Sequence, residues 1–465
     1  MSGILKSYIG DKAFYKKFIL LLLPIMIQNG ITNFVNMLDN VMVGRVGTLQ
    51  MTGVAVTNQL IFVFNLCIFG AVSGAGIFVA QFFGNGDTEK IRYTFRFKML
   101  LCVLISLLGI LLFVFGGKGL INLYLSGEGT KAEIAASYKY AREYLLIMLV
   151  GLIPYAVAQC YSSTLRECGQ SVMPMVAGTV AVFVNLVFNY FLIFGKFGFP
   201  CFGVNGAAIA TVLSRFVELL IVMVCTYRTR NINPFIIDAF KSFYVPKALI
   251  KSILIKGMPL MANEGLWAAG MATLNQCYSL RGINVVAASN ISQTFFNVFS
   301  VVFISSGVAI GIVLGQQLGS GDTKNAVPTA KKLTAFSVLL SVVIGIVYVF
   351  LADFIASFYN VNDEVKFLAT RLMQITAIAM PLDAYAHSSY FTLRSGGKTL
   401  ITFIFDSGFM WFVAVVIAFI ISRFTDIGIL PMFAIIQGLN GVKCILGYYF
   451  VKKGSWVVQL SDKKE

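Results

Sequence analysis

The sequence predicts an all-α integral membrane protein with twelve transmembrane helices in two pseudo-symmetric six-helix bundles. Three observations carry that expectation. The 465-residue chain is 58% hydrophobic and only 12% charged, about half the charge of a soluble globular chain. Its mean hydropathy is +0.83. Apolar runs long enough to cross a bilayer, roughly 20 residues each, fill nearly the whole length, and the second half repeats the first.

The apolar runs fall at about 18–44, 54–82, 96–116, 140–163, 172–194, 204–226, 254–278, 287–315, 333–356, 367–391, 399–422 and 428–451. They are continuous rather than alternating, which favours helices over a β-barrel. Lys6, Lys12, Lys16 and Lys17 lead directly into the first run, so it reads as a retained span rather than a cleaved signal. Of the 36 Lys and Arg residues, 24 fall with the N-terminus and every second loop, Lys463 and Lys464 among them. Ten fall on the opposite side, and Arg215 and Lys443 lie within spans. The positive-inside rule therefore places both termini in the cytoplasm, with the plasma membrane as the expected location.

The repeat fixes the architecture. At an offset of 235, Pro24, Met26 and Gly30 match Pro259, Met261 and Gly265; Val63, Phe64, Gly76, Gln81, Gly84 and Asp87 match Val298, Phe299, Gly311, Gln316, Gly319 and Asp322. Farther on, at an offset of 228, Ala156, Thr164, Leu165, Arg166 and Gly169 match Ala384, Thr392, Leu393, Arg394 and Gly397. The halves divide as an N-lobe, 1–235, and a C-lobe, 236–465. Six spans per half is an even number, so both halves start on the same side. Such parallel repeats build transporters that bind substrate between halves and rock them against each other.

Several classes are excluded or disfavoured. The net charge of +16 is explained by topology rather than by nucleic acid, which is not an expected partner. The eight cysteines form no CxxC pair and most lie in apolar runs, so neither zinc nor redox chemistry follows. Gly84-Asn85-Gly86-Asp87 and Gly319-Ser320-Gly321-Asp322 end spans and carry no Walker lysine, which argues against ATP as the energy source. An enzyme would need a nucleophile–base or metal cluster, and one histidine offers neither.

Charges within spans are costly and mark function or a paired neighbour. Gln28, Thr32, Asn36 and Asp39 share one face of the first helix, a polar stripe suited to a cation or proton. Asn185 and Asn189, one turn apart, supply neutral oxygens that suit a hard cation beside Asp39. In the second half, Glu264 and Asn275 share a face of the seventh helix, and Asp383, His387, Tyr390 and Arg394 share a face of the tenth. His387 is the sole histidine and has an ordinary pKa near 6.5. The carboxylates are not duplicated: Glu264 corresponds to Asn29, Asp39 to Leu274 and Asp383 to Tyr155, which favours function over frame. Arg215 and Glu218, three apart, suggest an intrahelical ion pair. Asp406 suggests a partner for Arg394 or Lys398, and Lys443 needs a carboxylate that the sequence does not identify.

The segments Pro24 to Gln28, Asp39 with Met42-Val43-Gly44, Gln81-Phe82-Phe83-Gly84, Leu165-Arg166-Glu167-Cys168-Gly169-Gln170 and Gly203-Val204-Asn205-Gly206-Ala207-Ala208 resemble the multidrug and toxic compound extrusion (MATE) family over essentially the whole chain. The pattern resembles the prokaryotic NorM- and DinF-type branches. The resemblance implies a twelve-helix antiporter that expels amphipathic, often cationic compounds in exchange for H+ or Na+, with no other cofactor. It implies that Asp39 is the helix 1 carboxylate and that Asn185 and Asn189 are the helix 5 polar pair. Asp383 and Glu264 then correspond to the C-lobe carboxylates of the NorM-type branch, although Glu264 stands about a turn nearer its proline. Tyr155 and Tyr390 join the polar cavity lining, and a monomer in the lipid bilayer is expected. Export or flipping of a single metabolite or lipid-linked substrate on the same fold is the alternative, and a channel is a more distant one.

Overall fold

Asp11 starts the first helix by accepting the Phe14 N–H on its carboxylate at 2.7 Å, which satisfies one of the end's orphan donors. Helix α1 then runs Lys12–Gly44, followed by α2, Thr48–Gly84, and α3, Thr88–Leu125. Thr130 and Glu133 form a reciprocal capping box that starts α4a, Lys131–Val150. The chain bends 47° at Gly151 into α4b, Leu152–Glu167. Next come α5, Val172–Phe194, closed by left-handed Gly195, and α6, Val204–Arg228.

The second half begins with α7, Lys247–Ser279. The helix pair α8a, Ile283–Phe299, and α8b, Val301–Gly319, comes next. Helix α9 is Ala326–Ser357 and α10 is Asp363–Ser395, capped by Asn362. Two π-helical stretches, Ile404–Gly408 and Met410–Ala414, interrupt α11, Thr399–Phe424, and α12 spans Ile429–Lys453. This computed structural model describes residues 8–125, 130–359 and 361–460, and every regular element among them is helical. Lys6, Lys463 and Lys464 of the charge tally lie outside the described residues.

The repeat is visible in the element bounds. α1 and α7 each have 33 residues, start 235 positions apart, and carry Pro24 and Pro259 at the same place. A proline inside a helix removes one backbone bond and favours a bend there. Among the described residues, ten helices are long and apolar enough to cross a membrane, and the α4a–α4b pair makes an eleventh. The twelfth, α7, has the length, but Asn263, Glu264, Asn275 and Gln276 dilute its apolar character. On α3, Leu104, Leu107, Leu108, Leu111, Leu112 and Phe115 are all exposed, an apolar face that only lipid would cover without cost.

Two compact units form. The N-terminal unit holds Ile27–Val79 and Thr88–Lys251; the C-terminal unit holds residues up to Met26, Ala80–Asp87 and residues from Ser252 onward. This partition departs from a contiguous division at 235/236 in three segments, and local packing accounts for two of them. In the C-terminal unit, a Cβ on Gly84 would stand 1.9 Å from the Gln316 carbonyl oxygen, and one on Gly319 would stand 1.9 Å from that of Gln81. Repeat-related glycines thus permit a backbone crossing that binds the end of α2 there. Gln81 adds hydrogen bonds to the Ser395 and Val458 carbonyls and to the Leu460 N–H. In the N-terminal unit, Arg96 donates to the carbonyls of Asp238, Ala239 and Tyr244, and Arg92 donates to those of Pro234 and Phe235. Phe235 is fully buried against Phe95. The stretch after α6 is therefore a fixed part of that unit.

Candidate functional site

In the N-terminal unit, α1 and α5 bring Asp39 to the two predicted asparagines. Asn189 donates to Asp39 Oδ1 at 2.7 Å. Asn185, with its amide nitrogen turned to the carboxylate, donates to Asp39 Oδ2 at 2.8 Å while its oxygen meets the Thr211 hydroxyl at 3.1 Å. That orientation pairs both ends of the amide. The Asn189 amide oxygen is buried and has no hydrogen-bond partner, a neutral oxygen of the kind that binds hard cations. Thr211 on α6 is the member that sequence reasoning missed.

The rest of the helix 1 stripe divides. Gln28 is buried and accepts from Arg166 Nη2 at 2.5 Å. A Cβ on Gly178 would meet the Gln28 amide at 2.4 Å, so the glycine on α5 makes room for this side chain. Thr32 is half-buried, while Asn36 is exposed and makes none of the hydrogen bonds around Asp39. The expected Arg215–Glu218 ion pair does not form within 4 Å. Arg215 instead lies over the Tyr155 ring, 5.0 Å from its centroid, and one of its Nη atoms has no partner. Glu218 stands within electrostatic reach of Arg166 as well as Arg215, which removes the need for a single local partner.

In the C-terminal unit, three carboxylates and two cations share the interior of α7, α10, α11 and α12. Asp406 pairs with Lys443, not with Arg394 or Lys398. Its second oxygen accepts from Asn263 Nδ2 at 3.0 Å, and Asn263 in turn accepts from the Ser407 hydroxyl and N–H at 2.7 and 3.2 Å. The π-helical stretch around Asp406 widens α11 locally, a feature common at functional sites. Asp383 accepts from Asn440 Nδ2 at 2.6 Å. Glu264 lies within electrostatic reach of Arg394 and Asp406. Tyr390 is buried, with its hydroxyl 3.4 Å from Asn263 Nδ2. His387 packs edge-on to Phe303 at 5.5 Å and beside Phe391 at 6.0 Å, in an aromatic wall rather than in a proton chain. Asn275 is exposed, more than three turns past Asn263 on α7.

The units use corresponding positions for different chemistry. Tyr155 and Asp383 correspond, and each receives a group from the last helix of its half: Arg215 over the ring, Asn440 to the carboxylate. Gln28 and Asn263 correspond at the offset of 235; one takes an arginine and the other an aspartate. Asn263 was legible by that offset. Asn440 was not, because the α11–α12 connection is shorter than its counterpart.

The MatE family profile matches residues 24–191 and 260–420. This chain belongs to the MatE family. It is a multi-pass membrane protein of the transporter class. A probable multidrug resistance protein NorM of Thermotoga maritima is 26% identical over 428 residues, 89% of this chain and 87% of that protein. The probable multidrug resistance protein YoeA of Bacillus subtilis is 26% identical and spans 95% of both chains. Among solved structures, an outward-facing multidrug resistance MATE family transporter of the MOP superfamily superposes with a TM-score of 0.85 at 18% identity, covering 98% of this chain and 99% of that one. A MOP superfamily transporter from Pyrococcus furiosus gives 0.84 at 18% identity over 97% and 98%. At that identity the structures establish a shared fold, which includes the twelve helices in two bundles.

Proposed function

We propose that this MatE-family chain is a secondary active multidrug exporter. It expels amphipathic, cationic compounds in exchange for H+ or Na+ by alternating access, as a monomer in the plasma membrane with both termini cytoplasmic. It works as a carrier, without enzymatic chemistry. The names of the relatives and the composition of the polar clusters support this reading.

The observation that carries it is Asp39 within a membrane-spanning helix, held by two amide donors with no cationic side chain bonded to it among the described residues. A carboxylate in such surroundings is expensive unless a cation or proton attends it. A proton or Na+ at Asp39 cancels the charge that Asn185 and Asn189 bind, and the amide donors lose their anion. The part of α1 beyond Pro24 is then free to repack, and that movement expels the substrate. When the ion leaves toward the cytoplasm, the amide bonds to the carboxylate re-form. Glu264 and Asp383 bind a second cation or face the positive charge of the substrate. Broad specificity follows from re-packable apolar walls and few directional contacts.

Reconstituted protein loaded with ethidium, under separately imposed sodium and proton gradients, tests the reading. Efflux should follow one of the two gradients and should fall at least tenfold in Asp39→Asn, which keeps the shape and removes the charge. Wild-type efflux in that variant, or conductance without exchange, would sink the assignment.

A further inference from the structure

The C-terminal unit holds an internal cation that the exporter reading leaves without a role. Lys443 on α12 pairs with Asp406 on α11, and its ammonium also lies 5.3 Å from the Phe405 ring centroid. Neither partner is sealed: the side chains keep 14% and 18% of their exposure. One turn earlier on the same helix, Asn440 is bonded to Asp383. Residues three apart on a helix share a face at roughly 5–6 Å between Cβ atoms. Lys443 therefore stands beside Asp383 as well as Asp406, and electrostatic contact joins it to both.

The charge balance gives this position a consequence. Glu264, Asp383 and Asp406 face two fixed cations, Arg394 and Lys443. One negative charge has no fixed partner, and the low-dielectric interior penalises it until a cation arrives. Asp406 is saturated by Lys443 and Asn263. Asp383 accepts a single bond from a neutral amide. Among the described residues, Glu264 and Asp383 both lack an ion pair within 4 Å, and of the two it is Asp383 that stands in electrostatic contact with Lys443. A flexible four-carbon stem with three rotatable donors therefore borders a carboxylate open to a positive charge.

We propose that Lys443 is a tethered counter-cation that competes with the transported monovalent organic cation for Asp383, with Asp406 as its resting partner. The inference rests on the cation-export reading and deepens it. Substrate binding at Asp383 holds Lys443 on Asp406. Departure of the substrate lets the ammonium lean toward Asp383, which limits the bare carboxylate and lowers affinity for the product of transport.

The test is binding of tetraphenylphosphonium to the purified full-length protein by calorimetry. Asp406→Asn strips Lys443 of its resting partner and drives it onto Asp383, so the dissociation constant should rise at least tenfold. Lys443→Met/Asp406→Asn removes the competitor as well and should bind at least threefold more tightly than wild type. Replacing a whole ion pair by neutral groups of similar size is well tolerated. Lys443→Gln/Asp406→Asn provides a second version of the same comparison. A purely structural pair would give two shifts of the same sign, or none, and either result overturns the inference. A wild-type protein that binds no tetraphenylphosphonium and exports no cation overturns the exporter reading, and this proposal falls with it. A wild type that binds it while the variants shift together removes this proposal alone.

Discussion

Among the described residues, a lysine–carboxylate pair lies between helices in each unit, and the two are built to different ends. In the N-terminal unit, Lys98 on α3 pairs with Glu167 at the end of α4b, with the lysine side chain at 0% exposure and the glutamate at 10%. Lys98 also donates to the hydroxyls of Ser163 and Thr164 at 3.1 and 3.4 Å. A Cβ on Gly76 would stand 2.1 Å from Glu167 Oε1, so α2 closes over the carboxylate. In the C-terminal unit, Lys443 and Asp406 stay partly exposed, Asp406 sits on a π-widened helix, and Lys443 borders a second carboxylate. The first pair has no room to exchange partners. The second has room, a flexible cation and an acceptor within reach. Burial and surrounding geometry, not residue type, separate a lock from a working part.

The largest expected effect lies in the locked pair. Lys98→Met strands a buried carboxylate, and breaking one side of such a pair costs about 3–5 kcal/mol. Thermal unfolding in detergent should show a large drop, or no folded protein at all. Lys98→Met/Glu167→Gln should recover most of the loss. Gly76→Ala should resemble the single variant, because the added methyl displaces a carboxylate that has nowhere to go. Equal melting points for Lys98→Met and wild type would erase the contrast between the units.

How far these features could be read from sequence depends on the range of the interaction. The bundle architecture was legible because composition and the 235-residue offset are properties of single helices and of their copies. The equal 33-residue lengths of α1 and α7 and their equivalent prolines bear this out. The grouping of Asp39, Asn185 and Asn189 was legible because an aspartate and a one-turn amide pair are rare inside spans. The ion-pair partners were not. Lys443 and Asp406 lie 37 positions apart on different helices, and which residues meet depends on how each helix is rotated. Local spacing suggested Arg215 with Glu218, but Arg215 found an aromatic face instead. Asn36 has the spacing for the Asp39 face, yet it is exposed, since helical periodicity does not say where a stripe leaves the protein interior. The extent of each unit was hidden for a similar reason: the Gly84–Gln316 crossing and the Arg96 bonds are tertiary.

An intermediate effect is expected from Arg96. It is buried, and three backbone carbonyls of residues 238–244 accept its N–H groups. Arg96→Gln leaves those acceptors short of donors, at about 1–3 kcal/mol for each one that stays buried. The chain would relax and admit water, so the net loss should be about 2–3 kcal/mol, below that of Lys98→Met. Proteolytic cleavage within 233–246 should accelerate in the variant, and transport should slow less than it does in Asp39→Asn. An unchanged cleavage rate would mean that the segment is held by Phe235 and its aromatic neighbours alone.

The smallest effect is expected from the third pair among the described residues, Lys241 with Asp238 at 2.8 Å, where the side chains are 77% and 48% exposed. The neighbouring ammonium and its hydrogen bond hold the Asp238 carboxyl below the ordinary aspartate range. A carboxyl lowered on folding adds stability above its ordinary value, and that stability is lost only as pH falls through the lowered one. No change is therefore expected between pH 5 and 8. In full solvent, screening and side-chain entropy leave such pairs with little net value. Lys241→Ala should melt with wild type at every pH in that window and at both low and high salt. A salt-sensitive drop in melting temperature would show that the surface pair also holds the segment down. The order of the three pairs would then follow local backbone geometry, since Asp238 adopts a left-handed φ of 58°, rather than burial.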